Sequence, residues 1–128
     1  MTQGTKTILV TDDEPLVRNM ISMLLKGQGY VVLEAANGLE ALQLAGEHTE
    51  GEIDLLLTDV AMPQMDGIQL VREFRDRFPS TRIILMSGYA DESRLQYVDT
   101  EPAIGFLEKP FPILLLEQKV RELLDRPA

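Results

Sequence analysis

The chain has 128 residues, about the size of one domain, and its formal net charge is -9 at pH 7. It has no cysteine, which excludes disulfides and thiolate metal sites, and its acidity argues against direct nucleic-acid binding. No apolar run is long enough to span a membrane, so we expect a cytoplasmic protein without membrane contacts.

The chain opens with a strand pattern and a helix pattern. The β-branched run Thr7–Thr11 predicts a strand, and two carboxylates, Asp12 and Asp13, follow it directly. Pro15 favours the first turn of a helix, because its missing N–H costs nothing there, and the helical pattern continues to about Lys26.

The second and third strands follow. Tyr30–Glu34 predicts the second strand, and Asn37 with Glu40 fits a capping box at the start of the next helix. The apolar run Ile53–Thr58 predicts a buried third strand that ends abruptly in Asp59. Asp is common in turns, so Asp59 taken alone could simply begin the loop that follows.

The second half of the chain continues the alternation. A helix from about Asp66 precedes a fourth strand, Arg82–Met86, which Ser87 closes. The stretch from Asp91 to Thr100 has a weak helical pattern. The fifth strand is Ile104–Leu107, and a final helix is predicted from about Pro112 to Asp125.

Five strands that alternate with five helical patterns indicate an α/β fold with crossover connections. We expect a flavodoxin-like, doubly wound, five-stranded parallel sheet in the order 2-1-3-4-5, with helices on both faces. Residues 1–128 should form a single domain with its core between about residues 7 and 125.

Polar residues follow several of these strands at the point where each strand ends. In an open parallel sheet, sites form beyond the carboxyl ends of the strands, which would gather Asp12, Asp13, Asp59, Ser87 and Lys109. Three close carboxylates repel one another unless positive charge is present. Lys109 supplies one charge, and Mg²⁺, which prefers oxygen ligands, could supply the rest. The alternative is that Asp12 and Asp13 only cap the first helix.

Four motifs together resemble the receiver domain of bacterial two-component response regulators, over about residues 7–124. They are the acidic pair within Val10–Pro15, the segment Thr58–Gly67, the segment Met86–Tyr89 and the segment Phe106–Phe111. The last two look most like receivers attached to hybrid histidine kinases. The order and spacing of the four motifs make the resemblance specific.

The resemblance implies a phosphorelay function. Asp59 matches the phosphoacceptor, which takes a phosphoryl group from a phosphohistidine on a histidine kinase or a histidine phosphotransfer domain. Asp12, Asp13 and Asp59 match residues that hold Mg²⁺, with the backbone carbonyl of Ala61 completing the protein ligands.

The resemblance also assigns roles around this centre. Lys109 matches the lysine that pairs with the phosphoryl oxygens, and the Lys109–Pro110 bond matches one that is cis, although trans is the default for most X–Pro bonds. Ser87 matches the hydroxyl that turns toward the phosphoryl group. Phe106 matches the aromatic switch residue, but it lacks a hydroxyl and can act only by packing.

Two other functions remain open. One is an aspartyl-phosphate hydrolase, although such enzymes place a second acid close to the nucleophile and Ala61 stands two positions after Asp59. The other is an interaction module that is never phosphorylated. His48, the only histidine, is predicted to be solvated, so the chain should not be a kinase by itself. It could be a free-standing receiver, a relay intermediate or a domain of a hybrid kinase.

Two apolar groups exceed what the core needs. Leu16, Met20 and Met23 form a second stripe on the first helix, which is either additional core or a docking surface for the phosphodonor. Ile113–Leu115 cannot all point inward from one helical turn. They either pack under the loop around Pro102 or mediate dimerisation or docking to a neighbouring domain.

Overall fold

The computed structural model describes residues 5–48, 51–88, 91, 95–96 and 104–125. The strands in this part of the chain are β1 (Thr7–Thr11), β2 (Val31–Ala35), β3 (Leu55–Asp59), β4 (Arg82–Ser87) and β5 (Gly105–Glu108). The helices are α1 (Pro15–Gly27), α2 (Gly38–Glu47), α3 (Gly67–Arg77) and α4 (Ile113–Asp125). The predicted alternation of strands and helices is therefore confirmed, except between β4 and β5, where the predicted helix lies largely outside the described residues.

The five strands form one parallel sheet in the order β2-β1-β3-β4-β5, which confirms the predicted flavodoxin-like topology. Strand β1 lies between β2 and β3, with Leu9 opposite both Leu33 and Leu56. Because strand order reverses beside β1, the carboxyl ends of β1 and β3 form a crevice where polar side chains can meet.

Two hydrophobic clusters cover the two faces of the sheet. Successive strand residues point to opposite faces, so Leu9 and Val10 enter different clusters. Leu9 packs in the cluster that contains Phe74 of α3, and Val10 packs in the cluster that contains Ile21 of α1 and Val120 of α4. The fold is thus doubly wound, with α2 and α3 on one face and α1 and α4 on the other.

Side-chain caps fix the starts of two helices. Asn37 Oδ1 accepts a hydrogen bond from the amide of Glu40 at 2.8 Å, and the Glu40 carboxylate accepts one from the amide of Ala36 at 3.0 Å. This confirms the predicted capping box. Asp66 caps α3 by accepting from the amide of Gln69 at 2.9 Å.

Helix α1 buries only one of its two apolar stripes. Ile21 and Leu25 are fully buried, whereas Leu16, Met20 and Met23 are 85%, 47% and 74% exposed. The interpretation of these three residues as additional core is therefore wrong. A helix that packs on one sheet face buries a single stripe, and the second stripe of α1 faces away from that contact.

The first turn of α4 is apolar and exposed. Ile113, Leu114 and Leu115 are 46%, 73% and 37% exposed, which confirms that they do not all point inward. The weak helix predicted from Asp91 to Thr100 lies largely outside the described residues. Among the helices that the structure describes, none has the length and apolar character needed to cross a membrane.

Candidate functional site

The carboxyl ends of three strands bring the predicted site residues together. Asp12 follows β1, Asp59 is the last residue of β3, and Lys109 follows β5. All three lie at the same edge of the sheet, because parallel strands end on one side, and β1 and β3 are buried along their whole length. Asp12 is fully buried and Asp59 is 6% exposed, so two carboxylates lie in a poorly solvated crevice.

Lys109 bridges these two carboxylates. Its Nζ lies 3.0 Å from Oδ2 of Asp12 and 3.2 Å from Oδ2 of Asp59. The backbone holds the lysine in place, since its amide donates to the carbonyl of Ser87 at 2.7 Å. The Lys109–Pro110 peptide bond is cis, as the resemblance implied.

Asp12 is held from several sides. Its amide donates to the carbonyl of Ala35 at 3.2 Å, and its Oδ1 accepts from the amide of Glu14 at 2.9 Å. Its own carbonyl accepts from the Arg18 guanidinium at 2.8 Å. The capping interpretation of this residue therefore accounts for only one carboxylate oxygen, because the other oxygen contacts Lys109.

Asp13 completes an acidic group that fits a divalent cation. One carboxylate oxygen from each of Asp12, Asp13 and Asp59 lies within 4.8 Å of the others. Asp13 is exposed, so the group opens to solvent on one side. Carboxylate oxygens with an open, hydrated side are the ligands that Mg²⁺ prefers, and the donor set therefore fits this ion.

The charges in the group do not balance. Burial raises the pKa of Asp59 to about 6 from an ordinary 3.8; Lys109 opposes this, and the charges of Asp12 and Asp13 add to it. Burial lowers the pKa of Lys109, but its contacts with Asp12 and Asp59 outweigh burial and raise that pKa. Three carboxylates thus compete for one ammonium, which favours binding of another cation.

The loop after Asp59 closes tightly on the end of β3. The amide of Gly67 donates to the carbonyl of Val60 at 2.7 Å. A Cβ at position 67 would collide with the Asp59 carbonyl oxygen and would lie 2.9 Å from the Cα of Val60. Only glycine fits there, and this close approach holds the Asp59 backbone. Ala61 in the same loop is exposed.

The two predicted switch residues lie on β4 and β5. Asp59 is opposite Met86 in the register of β3 and β4, so Ser87 lies one position further along and is 6% exposed. Phe106 is the second residue of β5 and is 37% exposed. Both residues thus lie on the half of the sheet that continues from β3 through β4 to β5.

Sequence reasoning missed Arg18 and misjudged His48. Arg18 continues the buried stripe of Ile21, Ser22 and Leu25 at helical spacing, and a charged residue on a buried stripe is the signal that could have identified it. His48 was predicted to be solvated, but it is half-buried at the end of α2, where its amide donates to the carbonyl of Leu44.

Comparison with known protein families and curated proteins gives one family. The family described as the response regulator receiver domain matches residues 8–121. The sensor kinase CckA of Brucella abortus is 40% identical over 96% of this chain, which spans only 13% of that kinase. The sporulation initiation phosphotransferase F of Bacillus subtilis is 31% identical, over 91% of this chain and 92% of that protein.

Solved structures give the same fold. The receiver domain of the hybrid histidine kinase CckA is 36% identical with a TM-score of 0.79, over 93% of this chain and 99% of that chain. A response regulator receiver domain protein from Clostridium thermocellum is 30% identical with a TM-score of 0.85, over 94% of this chain and 95% of that chain.

Proposed function

This chain belongs to the response regulator receiver domain family, and we propose that it is a phosphoacceptor in a two-component phosphorelay. The observation that carries the proposal is the ammonium of Lys109 between Asp12 and Asp59 at the open end of the crevice. Residues 1–128 would form one receiver domain that acts in the cytoplasm without binding nucleic acid directly. Asp59 would be loaded by a histidine kinase or a histidine phosphotransfer domain.

The transfer needs little covalent chemistry from the protein. A carboxylate oxygen of Asp59 attacks the phosphorus of the partner's phosphohistidine, a P–O bond forms, and the P–N bond breaks. The electron pair of the broken bond stays on the imidazole nitrogen, which takes up a proton. A loose phosphoryl-transfer transition state depends chiefly on positioning and charge neutralisation. Lys109, 3.2 Å from Asp59, is placed to pair with the phosphoryl oxygens.

Receiver domains generally bind Mg²⁺ at an acidic pocket, and Asp12, Asp13 and Asp59 form such a group in this chain. We assign these three carboxylates, with the backbone carbonyl of Ala61, as the residues that would hold the ion. When bound, Mg²⁺ supplies the positive charge that the three carboxylates lack. The raised pKa of Asp59 supports this assignment, because it reflects burial of the carboxylate, which Lys109 only partly offsets, and the added charges of Asp12 and Asp13.

Phosphorylation would act as a switch through residues already beside Asp59. The new phosphoryl group adds about 1.5 to 2 negative charges and strong acceptor oxygens. These acceptors would recruit the Ser87 hydroxyl and the Lys109 ammonium and so reshape the loop after β4. Phe106, half-exposed and without a hydroxyl, would report the change by moving between packed and exposed positions.

The exposed stripe of α1 is proposed as the docking surface for the phosphodonor. Receiver domains interact with histidine kinases or phosphotransferases. Leu16, Met20 and Met23 are solvent-exposed on the helix that begins three residues after Asp12. Flexible Met side chains adapt to the helical surface of a partner, and burial of this stripe would stabilise the complex.

The exposed first turn of α4 is proposed as a second contact surface. Ile113, Leu114 and Leu115 would bind either a second copy of the chain or a neighbouring domain of a longer protein. A neighbouring domain is relevant because the matched part of CckA is a small share of that kinase.

Labelling with a small phosphodonor tests the central proposal. The purified chain is incubated with acetyl phosphate and MgCl₂, and intact mass spectrometry measures the added phosphoryl group. We expect labelling of the wild type and of Asp66→Asn, a matched control that keeps a capping side chain, and no labelling of Asp59→Asn or of wild type in EDTA. Equal labelling of Asp59→Asn contradicts the assignment, and continuous turnover of added phosphoesters would indicate the hydrolase instead.

A further inference from the structure

Arg18 of α1 contacts the backbone of Asp12, one of the three residues of the acidic group. Its NH1 donates to the carbonyl oxygen of Asp12 at 2.8 Å, and its Nε lies 3.3 Å from a carboxylate oxygen of Glu34 on β2. We propose that Arg18 is a positioning residue that fixes the Asp12–Asp13 peptide in the orientation that binds Mg²⁺. This inference rests on the proposed function, because it assumes that the acidic group holds the ion.

The contact with the carbonyl acts on both acidic residues. The carbonyl of Asp12 belongs to the peptide unit that leads into Asp13, and that unit is planar. Fixing the carbonyl oxygen therefore fixes the direction in which the chain enters Asp13. The Asp12 carboxylate is separately held by Glu14 and Lys109. The exposed Asp13 depends more on its backbone, because its carboxylate faces solvent.

The ion pair with Glu34 restricts the motion of the Arg18 guanidinium. Arg18 and Glu34 have side chains that are 17% and 30% exposed, so the pair is largely shielded from water. One guanidinium can donate in two fixed directions at once, whereas an ammonium is a point donor on a flexible stem. Through these two contacts, Arg18 links α1 to β2 and to the end of β1. The position of the Asp12 carbonyl is therefore fixed by the packing of α1 and β2.

The location of Arg18 argues against a purely structural role. Positions 18, 21, 22 and 25 form one stripe of α1, and Ile21, Ser22 and Leu25 are buried. Burying an arginine there requires desolvation that an aliphatic residue would avoid. A residue that supports metal ligands from outside the coordination sphere typically affects metal affinity about 10- to 100-fold.

Charge and positioning predict opposite effects of removing Arg18. If Arg18 acted only through its charge, Arg18→Ala would remove a cation near the carboxylates and strengthen Mg²⁺ binding. If Arg18 acts by positioning, the loss of its hydrogen bond to the Asp12 carbonyl makes the Asp12–Asp13 peptide more mobile and weakens Mg²⁺ binding. The sign of the change in the Mg²⁺ dissociation constant therefore distinguishes the two roles.

The test is titration with MgCl₂ followed by amide NMR, together with thermal unfolding of each protein. We expect the dissociation constant of Arg18→Ala to rise about tenfold, with a smaller rise in Glu34→Gln and only partial recovery in Arg18→Lys. Two controls should bind Mg²⁺ like the wild type. Arg77→Ala removes an exposed arginine that pairs with Glu73, and Val120→Ala destabilises the core without touching the acidic group.

The outcomes separate the two proposals. A wild type that shows no saturable Mg²⁺ binding overturns the proposed function itself. A wild type that binds Mg²⁺, together with an Arg18→Ala variant that is folded and binds as tightly or more tightly, overturns the positioning role alone. A Val120→Ala variant whose affinity falls as much as that of Arg18→Ala also overturns it, because lost stability would then explain both changes.

Discussion

Lys109 and Asp59, 50 residues apart in the sequence, form a contact of 3.2 Å between Nζ and Oδ2 at the carboxyl edge of the sheet. The same ammonium lies 3.0 Å from Asp12, so Asp59 receives only a share of its charge. The ionised carboxylate of Asp59 is thus costly in the metal-free protein. The same property would favour the proposed binding of Mg²⁺, and it gives the first prediction.

Asp59→Asn should stabilise the metal-free protein. The folded-state pKa of Asp59 is about 6, above its ordinary 3.8, so the ionised carboxylate destabilises the folded state at neutral pH. We expect the free energy of unfolding to rise by about 1 to 2 kcal/mol near pH 7, a value that discounts the full shift for solvent screening. Urea unfolding in EDTA measures the gain.

The pH dependence of that gain follows from the sign of the shift. Between pH 3.8 and about 6 the folded wild type binds more protons than the unfolded chain, so wild-type stability falls as pH rises through this range. The advantage of Asp59→Asn should therefore shrink to about half near pH 5. Asp66→Asn is the control, and an equal advantage at both pH values would contradict the prediction.

Gly67→Ala should distort the backbone at Asp59 and Val60. The added Cβ would meet the carbonyl of Asp59 and the Cα of Val60, both of which are main-chain atoms that cannot rotate away. We expect a loss of about 2 to 3 kcal/mol in the free energy of unfolding, measured with urea. Gly46→Ala is the matched control, because nothing lies within 4 Å of its Cβ; equal stability of the two variants would show that the loop accommodates the methyl group.

The sequence predicted the strands and their ends well for a physical reason. Buried parallel strands need continuous apolar runs, so the change from Leu57 to Thr58 and Asp59 marks the end of β3 without reference to any partner. Strand β1 has the predicted bounds, Thr7–Thr11. The convergence of Asp12, Asp59 and Lys109 then follows from the sheet topology.

The parts that sequence could not predict depend on packing between elements. Helix α1 carries two apolar stripes, and their periodicity alone does not say which one faces the sheet, so the core and docking interpretations of Met20 both stayed open until the structure showed it exposed. Arg18 contacts Asp12 and Glu34, which belong to two different segments of the chain. Local pattern can mark Arg18 as a charged residue on a buried stripe, but it does not identify Asp12 and Glu34 as its partners.

Met20→Glu should slow phosphotransfer from a protein donor and leave labelling by acetyl phosphate unchanged. Met20 is 47% exposed on α1, outside the acidic group, so a carboxylate there is compatible with the fold but disfavours burial against a partner. We expect about a tenfold lower transfer rate from a phosphorylated histidine kinase that labels the wild type.

Leu39→Glu is the matched control for this experiment. Leu39 is 52% exposed on α2, on the opposite face of the sheet, and the substitution adds the same charge. A lower transfer rate for Met20→Glu than for Leu39→Glu would locate docking on α1. Docking on α1 is refuted if Met20→Glu accepts phosphate from the kinase at the wild-type rate.

Leu114→Glu should abolish self-association if the apolar turn of α4 contacts a second copy. Leu114 is 73% exposed between Ile113 and Leu115, and burial of this turn in a dimer would remove apolar surface from water. Light scattering at increasing concentration should show a rising mass for the wild type and a constant monomer mass for Leu114→Glu. Met23→Glu is the control, because Met23 is 74% exposed on α1 and should leave the association intact. Identical monomer masses for all three proteins would rule out a homodimer and leave docking to a neighbouring domain as the role of this surface.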